Sequence, residues 1–577
     1  MSNFIVRKAA VLGAGVMGAQ IAAHLANAEV PVALFDLPAK EGNPNGIVNQ
    51  ALAALKKLEP SPLATKDRVS YIDAANYDQH LEQLKDCDLI IEAIAEKMEW
   101  KDDLYRKIAP FIAPGAIVAS NTSGLSINRL SEGLPEAQRA QFCGVHFFNP
   151  PRYMHLVELI ATKTSKPELL DNLEAWLVTR LGKGVVRALD TPNFVANRVG
   201  VFSILAVMHH TQQFGLGFDV VDALTGPLIG RPKSATYRTA DVVGLDTMAH
   251  VIKTMQDTLP DDPWHGFYKA PAWLSTLIEK GALGQKTRAG IFRKDGKAIK
   301  VLDLATQDYR DAAGEIAPEV LDILKNKNPA EKFAQLRACE HPQAQFLWAI
   351  FRDIFHYVAV HLADIADNAR DVDFAMRWGF GWAQGPFETW QAAGWKVIAD
   401  AVKADIDAGR AMSKTPLPGW VFARDSVHAA GGSYSASADT LKPRSTLPVY
   451  RRQIFPERVL GEKAVEGETI WENGDLREGV RLWKLPQVDN EIAILSVKSK
   501  NHTLGREVIV GLQEAIRRAE ADYRGVVVWH EAPFALGANL KEVTEAIKAG
   551  QFEMLASYVA EFQKASMCLK YAQVPVV

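Results

Sequence analysis

The chain has 577 residues, several times the ~100–200 of one domain, so more than one core is expected. Hydrophobic residues make up 48% and charged residues 23%, which excludes a disordered, collagen-like or coiled-coil chain. A net charge of −3 excludes a global basic field for nucleic acid or an anionic membrane. The longest apolar runs are interrupted by charge, Gly or Pro short of the ~20 residues that a membrane span needs. Cys87, Cys143, Cys339 and Cys568 lie far apart without a CxxC pair, so reduced thiols and a cytoplasmic enzyme are expected, with no metal site. The N-terminus runs into a strand pattern without the apolar core or cleavage site of a signal peptide.

Short apolar runs at residues 9–12, 31–35, 89–91, 117–119, 144–147 and 156–160 alternate with helical patterns at 19–27, 45–58 and 102–108. Such alternation predicts an α/β fold with a doubly wound parallel sheet. The first strand runs into Gly13-Ala14-Gly15-Val16-Met17-Gly18, a GxGxxG turn ahead of an amphipathic helix. Gly13 permits the tight turn, Gly15 lets backbone approach a pyrophosphate, and Gly18 lets helix and strand pack closely. Asp36 ends the second strand, placed to accept from both adenosine ribose hydroxyls and to repel a 2′-phosphate. This region is therefore read as an NAD site, with Val16 and Met17 at the helix start beside the diphosphate.

Strand alternation stops near Thr191, Pro192 and Asn193, where a helical domain begins. Two stretches within it, from Asp219 and from Asp371, share an acidic start, helical apolar spacing and a Gly/Pro-rich end, each after a long apolar helix (199–212 and 346–365). Two related helical units are expected, the second completing the first within one chain. The boundaries are residues 1–190 for the NAD-binding domain, 191–300 and 301–430 for the helical units, 431–485 for a polar connector, and 486–577 for a new α/β segment.

His146 stands near the end of one predicted strand and Glu158 twelve residues later on the next, with FNPPRYM able to turn the chain between them. A His held by a carboxylate makes a general base. From spacing alone, a core histidine and a surface carboxylate are an equal reading. From the residues alone, Ser123 reads first as a turn or cap residue and Asn197 as a helix cap. Glu92 and Asn121 fall at strand ends on the ligand edge of the sheet, although an acidic residue there also caps helices. Lys56 and Lys57 are candidates for coenzyme A phosphates, or simply a solvated face.

Taken in order, GAGVMG from Gly13, IIEAIAE around Glu92, SNTSGLSI from Ser120, HFFNP from His146, LVE ending at Glu158, FVANRV with Asn197 and GQKTRAGIF from Gly284 resemble the L-3-hydroxyacyl-CoA dehydrogenase family over roughly residues 1–430. The resemblance implies NAD-dependent oxidation of (S)-3-hydroxyacyl-CoA in fatty-acid β-oxidation. His146 would take the hydroxyl proton, Glu158 would orient it, and Ser123 and Asn197 would hold the reacting oxygen. It also implies an acyl-CoA substrate, and a thiolase or a second copy of the chain as partner. Residues 486–577 resemble the opening of the enoyl-CoA hydratase/isomerase (crotonase) family, as in bacterial multifunctional β-oxidation proteins. The backbone N–H of Ala538 would be one oxyanion donor there, with Asn539 where that family has Asp. The rest of that machinery is expected beyond the strand starting at VPVV, so a hydratase-inactive piece of a longer fusion is expected. The alternatives are a Rossmann dehydrogenase of a free hydroxy acid and a non-catalytic NAD/acyl-CoA-binding scaffold.

Overall fold

The computed structural model describes residues 4–474 and 478–577. The chain divides into two compact units, Met1–Lys463 and Ala464–Val577. Among the described residues of the first unit, eight strands form one sheet: β1 (Ala9–Leu12), β2 (Val32–Asp36), β3 (Ile72–Asn76), β4 (Leu89–Glu92), β5 (Ile117–Ser120), β6 (Phe142–Phe147), β7 (Leu156–Ala161) and β8 (Gly184–Ala188). Their order is β3-β2-β1-β4-β5-β6-β7-β8. The central strands β1, β4 and β5 read AAVL, LIIE and IVAS and are buried throughout, as expected where helices cover both faces of a parallel sheet.

One pairing departs from the expected parallel arrangement. β6 and β7 are antiparallel, because residues 148–155 are too few for a crossover helix. Their register sets His146 directly opposite Glu158. The strands β3 and β8 carry no run that the sequence pattern picks out: both are edge strands, and β3 reads IDAAN with Asp73 exposed.

The helical part of this unit is built twice. A long helix, Ala196–Gln213, packs on its counterpart Pro342–Ile365. Each is followed by a helix with a buried aspartate facing the next helix's first turn. Asp222 accepts from the backbone N–H of Thr236, Tyr237 and Arg238, and Asp373 accepts from those of Phe387 and Glu388. Three residues before a positive-φ glycine (Gly244 at 99°, Gly394 at 98°), each unit has a second acceptor. Asp241 takes the N–H groups of Ile291 and Phe292, and Gln391 takes those of Val427 and His428. In each unit a small three-stranded antiparallel sheet follows, Phe292–Asp311 by its outer strands in the first and His428–Lys442 in the second. The match of buried acceptors makes the two units related in construction.

Pro342–Ile365 contains an 18-residue window of mean hydropathy 1.2, apolar enough by composition to cross a membrane, but 89% of that window is buried in the fold. It is the core helix of the repeat pair. His428 bonds both Asp373 and Ser433, which assembles the atoms of a hydrolase triad, yet all three side chains are sealed from solvent. They tie the second repeat to its small sheet. The four cysteines are free thiols, and burial pushes Cys87 and Cys143 up to about 12.

The segment expected as a connector does more than connect. Up to Lys463 it belongs to the first unit, where Tyr434, Val449 and Val459 are buried. From Glu468 it supplies the first strand of the second unit's sheet. That sheet runs Glu468–Glu472, Val480–Leu485, Asp489–Val497 and Gly525–Val528. The last two are parallel and joined by the helix Arg506–Asp522. Val576 continues the sheet in parallel beside Val526.

Candidate active site

At the C-terminal ends of β1, β4 and β5 the strand order changes direction, which is where open α/β sheets bind ligands. Gly13 has φ +105°, and a Cβ there would stand 2.7 Å from Ala93 O. A Cβ on Gly18 would stand 1.8 Å from Gly13 O, while one on Gly15 would meet nothing within 4 Å. Two of the glycines are thus demanded by the fold itself, and Gly15 faces open space. The helix Val16–Asn27 begins at Gly15, and Val16 is 70% exposed at its first turn. Asp36 accepts from Ala14 N and Leu37 N, both at 2.7 Å, which fastens the glycine turn to the end of β2. An exposed apolar first turn, free helix N–H groups and a carboxylate at the β2 end fit a dinucleotide.

These contacts separate folding from binding. Gly18→Ala is expected to lower unfolding free energy by about 1–3 kcal/mol in urea titration through overpacking. Gly15→Ala, with φ −68° and no neighbour, is expected to leave stability unchanged and weaken NAD binding in the same preparation.

His146 is buried, its ring 4.5 Å from Phe148 and 5.7 Å from Phe194 between centroids. Its Nδ1 lies 2.7 Å from Glu158 Oε2. A carboxylate accepts, so Nδ1 carries the proton and Nε2 is left as the basic nitrogen. Glu158 is fully buried, and its other oxygen accepts from Val195 N at 3.0 Å and Ala196 N at 2.8 Å. One carboxylate therefore fixes both the His146 ring and the start of the helix Ala196–Gln213, whose first turn carries the half-buried Asn197.

Ser123 donates from Oγ to Glu96 Oε1 at 3.1 Å and from its backbone N–H to the same oxygen at 2.6 Å; Thr122 Oγ1 donates to it at 2.6 Å. Burial pushes the Glu96 carboxyl up, but Lys101 and these donors outweigh it and hold it below its ordinary value. The Ser123 proton is thus engaged by a carboxylate, leaving oxygen lone pairs for a ligand. The carboxylate at Ser123 is thus Glu96 and not Glu92, the expected one, four residues earlier in the same IIEAIAE run. Glu92 does not reach the cleft. It is fully buried, with its oxygens accepting from Lys101, Ile94 N, Tyr105 and Ser120, so it is a structural anchor. Asn121 accepts from Phe147 N at 2.8 Å and ties the end of β5 to β6 beside His146. Lys56 and Lys57 are exposed just past the helix Gly46–Leu55.

Lys183 packs under the turn between β6 and β7, donating to Pro151 O and to Met154 O at 2.8 Å; burial pulls its amine down to about 8. Nothing in its local pattern signals this role, since the contact depends on the turn's three-dimensional path.

Fold and cleft define an NAD-binding dehydrogenase with a Rossmann domain and a helical domain. Residues 8–191 match the family described as 3-hydroxyacyl-CoA dehydrogenase, NAD binding domain, and residues 194–294 match its C-terminal domain. A probable 3-hydroxyacyl-CoA dehydrogenase of Bacillus subtilis is 34% identical over 588 residues, covering 99% of this chain and 72% of that protein. A putative fatty acid oxidation complex trifunctional enzyme of Rickettsia felis is 31% identical, covering 99% of this chain and 74% of its own length. The solved 3-hydroxybutyryl-CoA dehydrogenase of Escherichia coli shares the fold, at 21% identity and a TM-score of 0.53 over 70% of this chain and 95% of that one. The chain belongs to the 3-hydroxyacyl-CoA dehydrogenase family and is an NAD-dependent oxidoreductase.

Proposed function

We propose that the chain oxidises (S)-3-hydroxyacyl-CoA to 3-oxoacyl-CoA in fatty-acid β-oxidation, with His146 as general base. The observation that carries this reading is the buried His146–Glu158 pair, 2.7 Å apart, at the edge of the cleft. His146 Nε2 takes the proton of the substrate's 3-hydroxyl, and Glu158 stabilises the imidazolium that results. The Ser123 hydroxyl, turned from Glu96 toward the substrate, and the Asn197 amide donate to the oxygen as it becomes a ketone. Bound NAD supplies the hydride acceptor, and this chain supplies the base, the orientation and the hydrogen bonds. Lys56 and Lys57 meet the coenzyme A phosphates, and a cytoplasmic location belongs to the same proposal.

A series of 3-hydroxyacyl-CoA substrates of increasing chain length, assayed for NADH, tests this reading: turnover with at least part of the series supports it, and none with any member rejects it. Cofactor choice is tested separately. Asp36→Ala is expected to narrow the kcat/KM preference for NAD over NADP, and an unchanged ratio removes the ribose role of Asp36. Residues 486–577 are proposed to be the opening of a crotonase domain. The parallel strand–helix–strand unit Asp489–Val528 and the Asn539 cap on the helix Leu540–Lys548 support that placement.

A further inference from the structure

Arg198 follows Asn197 in the first turn of the helix Ala196–Gln213, about 100° further round it, so the two side chains leave in different directions. Asn197 is half-buried, whereas Arg198 is 4% exposed and runs into the seam with the second helical repeat. There its Nη2 donates to Asp262 Oδ2 at 2.7 Å, and its Nε donates to the Tyr357 hydroxyl at 2.6 Å. Asp262 lies in the first repeat, past the helix Leu245–Thr258, and Tyr357 stands on the long helix Pro342–Ile365 of the second. Tyr357 is itself firmly placed. It is fully buried, its ring stacks on Phe202 with centroids 3.8 Å apart, and its oxygen lies 3.1 Å from the Tyr268 hydroxyl.

The first turn is thus held from two sides. Glu158 takes the N–H groups of Val195 and Ala196 from the sheet, and the repeat seam grips Arg198. Asn197 stands between these holds, so the place of its amide follows from the backbone of this one turn. A guanidinium is a rigid planar fork, and meeting a carboxylate and a hydroxyl together fixes its orientation. Without the hydroxyl a buried N–H is left unmatched, and the guanidinium must shift to recover a partner. That shift moves the turn that carries Asn197.

We propose that Tyr357 is a positioning residue for the dehydrogenase reaction: through Arg198 it holds the Asn197 amide where it donates to the substrate oxygen. The inference rests on the role proposed for Asn197 above. It gives the second helical repeat a part in the reaction, although that repeat supplies none of the groups assigned to the cleft. A group misplaced by about 1 Å costs about 100-fold in rate, so one hydroxyl in the seam is enough to matter.

The test is a double-mutant cycle on the full chain, read as kcat and KM with a 3-hydroxyacyl-CoA and NAD. Tyr357→Phe keeps the ring and its stack on Phe202 and removes one oxygen. It is expected to lower kcat about 10- to 100-fold while both KM values stay within about twofold. Asn197→Ala is expected to lower kcat by about 100-fold or more. Adding Tyr357→Phe to it is expected to cost nothing further, because the hydroxyl acts through the amide. Losses that multiply in the double variant, or an unchanged kcat in Tyr357→Phe, overturn the proposal and leave Asn197 its role. An unchanged kcat in Asn197→Ala refutes that role and the proposal with it. Arg198→Lys carries the same test should Tyr357→Phe fail to fold. It keeps a cation for Asp262 but has no fork to reach Tyr357 as well, so it is expected to lower kcat alone and to add nothing to Asn197→Ala. Wild-type kcat in Arg198→Lys also overturns the proposal.

Discussion

Replacing His146 with alanine is expected to lower kcat for 3-hydroxyacyl-CoA oxidation by about 100- to 10,000-fold, the range for losing a general base. NAD affinity, measured by titration, is expected to stay the same, because His146 sits on β6, away from the glycine turn after β1. The geometry makes the effect specific. With Nδ1 committed to Glu158 at 2.7 Å, Nε2 is the one ring nitrogen left for proton transfer, and no other imidazole pairs with Glu158 among the described residues. Unchanged turnover in His146→Ala would remove the pair from the mechanism.

The second large effect belongs to Glu158, and it divides into two parts. Glu158→Ala leaves two buried backbone N–H groups at Val195 and Ala196, and His146 Nδ1, without their acceptor. The expected loss of stability is about 3–5 kcal/mol, together with loss of turnover. Glu158→Gln is expected to separate the parts. Its carbonyl oxygen can still receive the helix N–H groups, so most of the stability returns in urea unfolding. Its amide then presents N–H to His146 Nδ1, which favours the tautomer protonated at Nε2 and removes the base, so turnover stays about 100- to 10,000-fold down. If Glu158→Gln keeps wild-type turnover, the carboxylate does not set the tautomer and only its structural tie remains.

Much of this site was legible because the chemistry is local in sequence. The glycine turn needs its strand, its helix and Asp36 within one short stretch, and the structure gives Gly13 and Gly18 steric reasons that no other residue meets. The His146–Glu158 pair was legible as a spacing, and became a contact through the antiparallel register of β6 and β7. What spacing cannot give is which of two like residues faces the cleft. Glu92 and Glu96 lie in one run, but β4 buries the first against Lys101 and Tyr105, while the loop turns the second toward Ser123. Edge strands β3 and β8 were likewise invisible, since a strand paired on one side needs no continuous apolar run. The repeat was faint in sequence because it is conserved in what the buried acceptors do: Asp241 in one unit and Gln391 in the other hold the same kind of backbone pair.

The most direct test of the dehydrogenase reading is NADH formation by the purified chain with (S)-3-hydroxybutyryl-CoA, set against the free 3-hydroxy acid under the same conditions. Turnover is expected with the thioester and a much lower kcat/KM with the free acid, both lost in His146→Ala. Equal or better turnover of the free acid, or none with thioesters of any chain length, would contradict it.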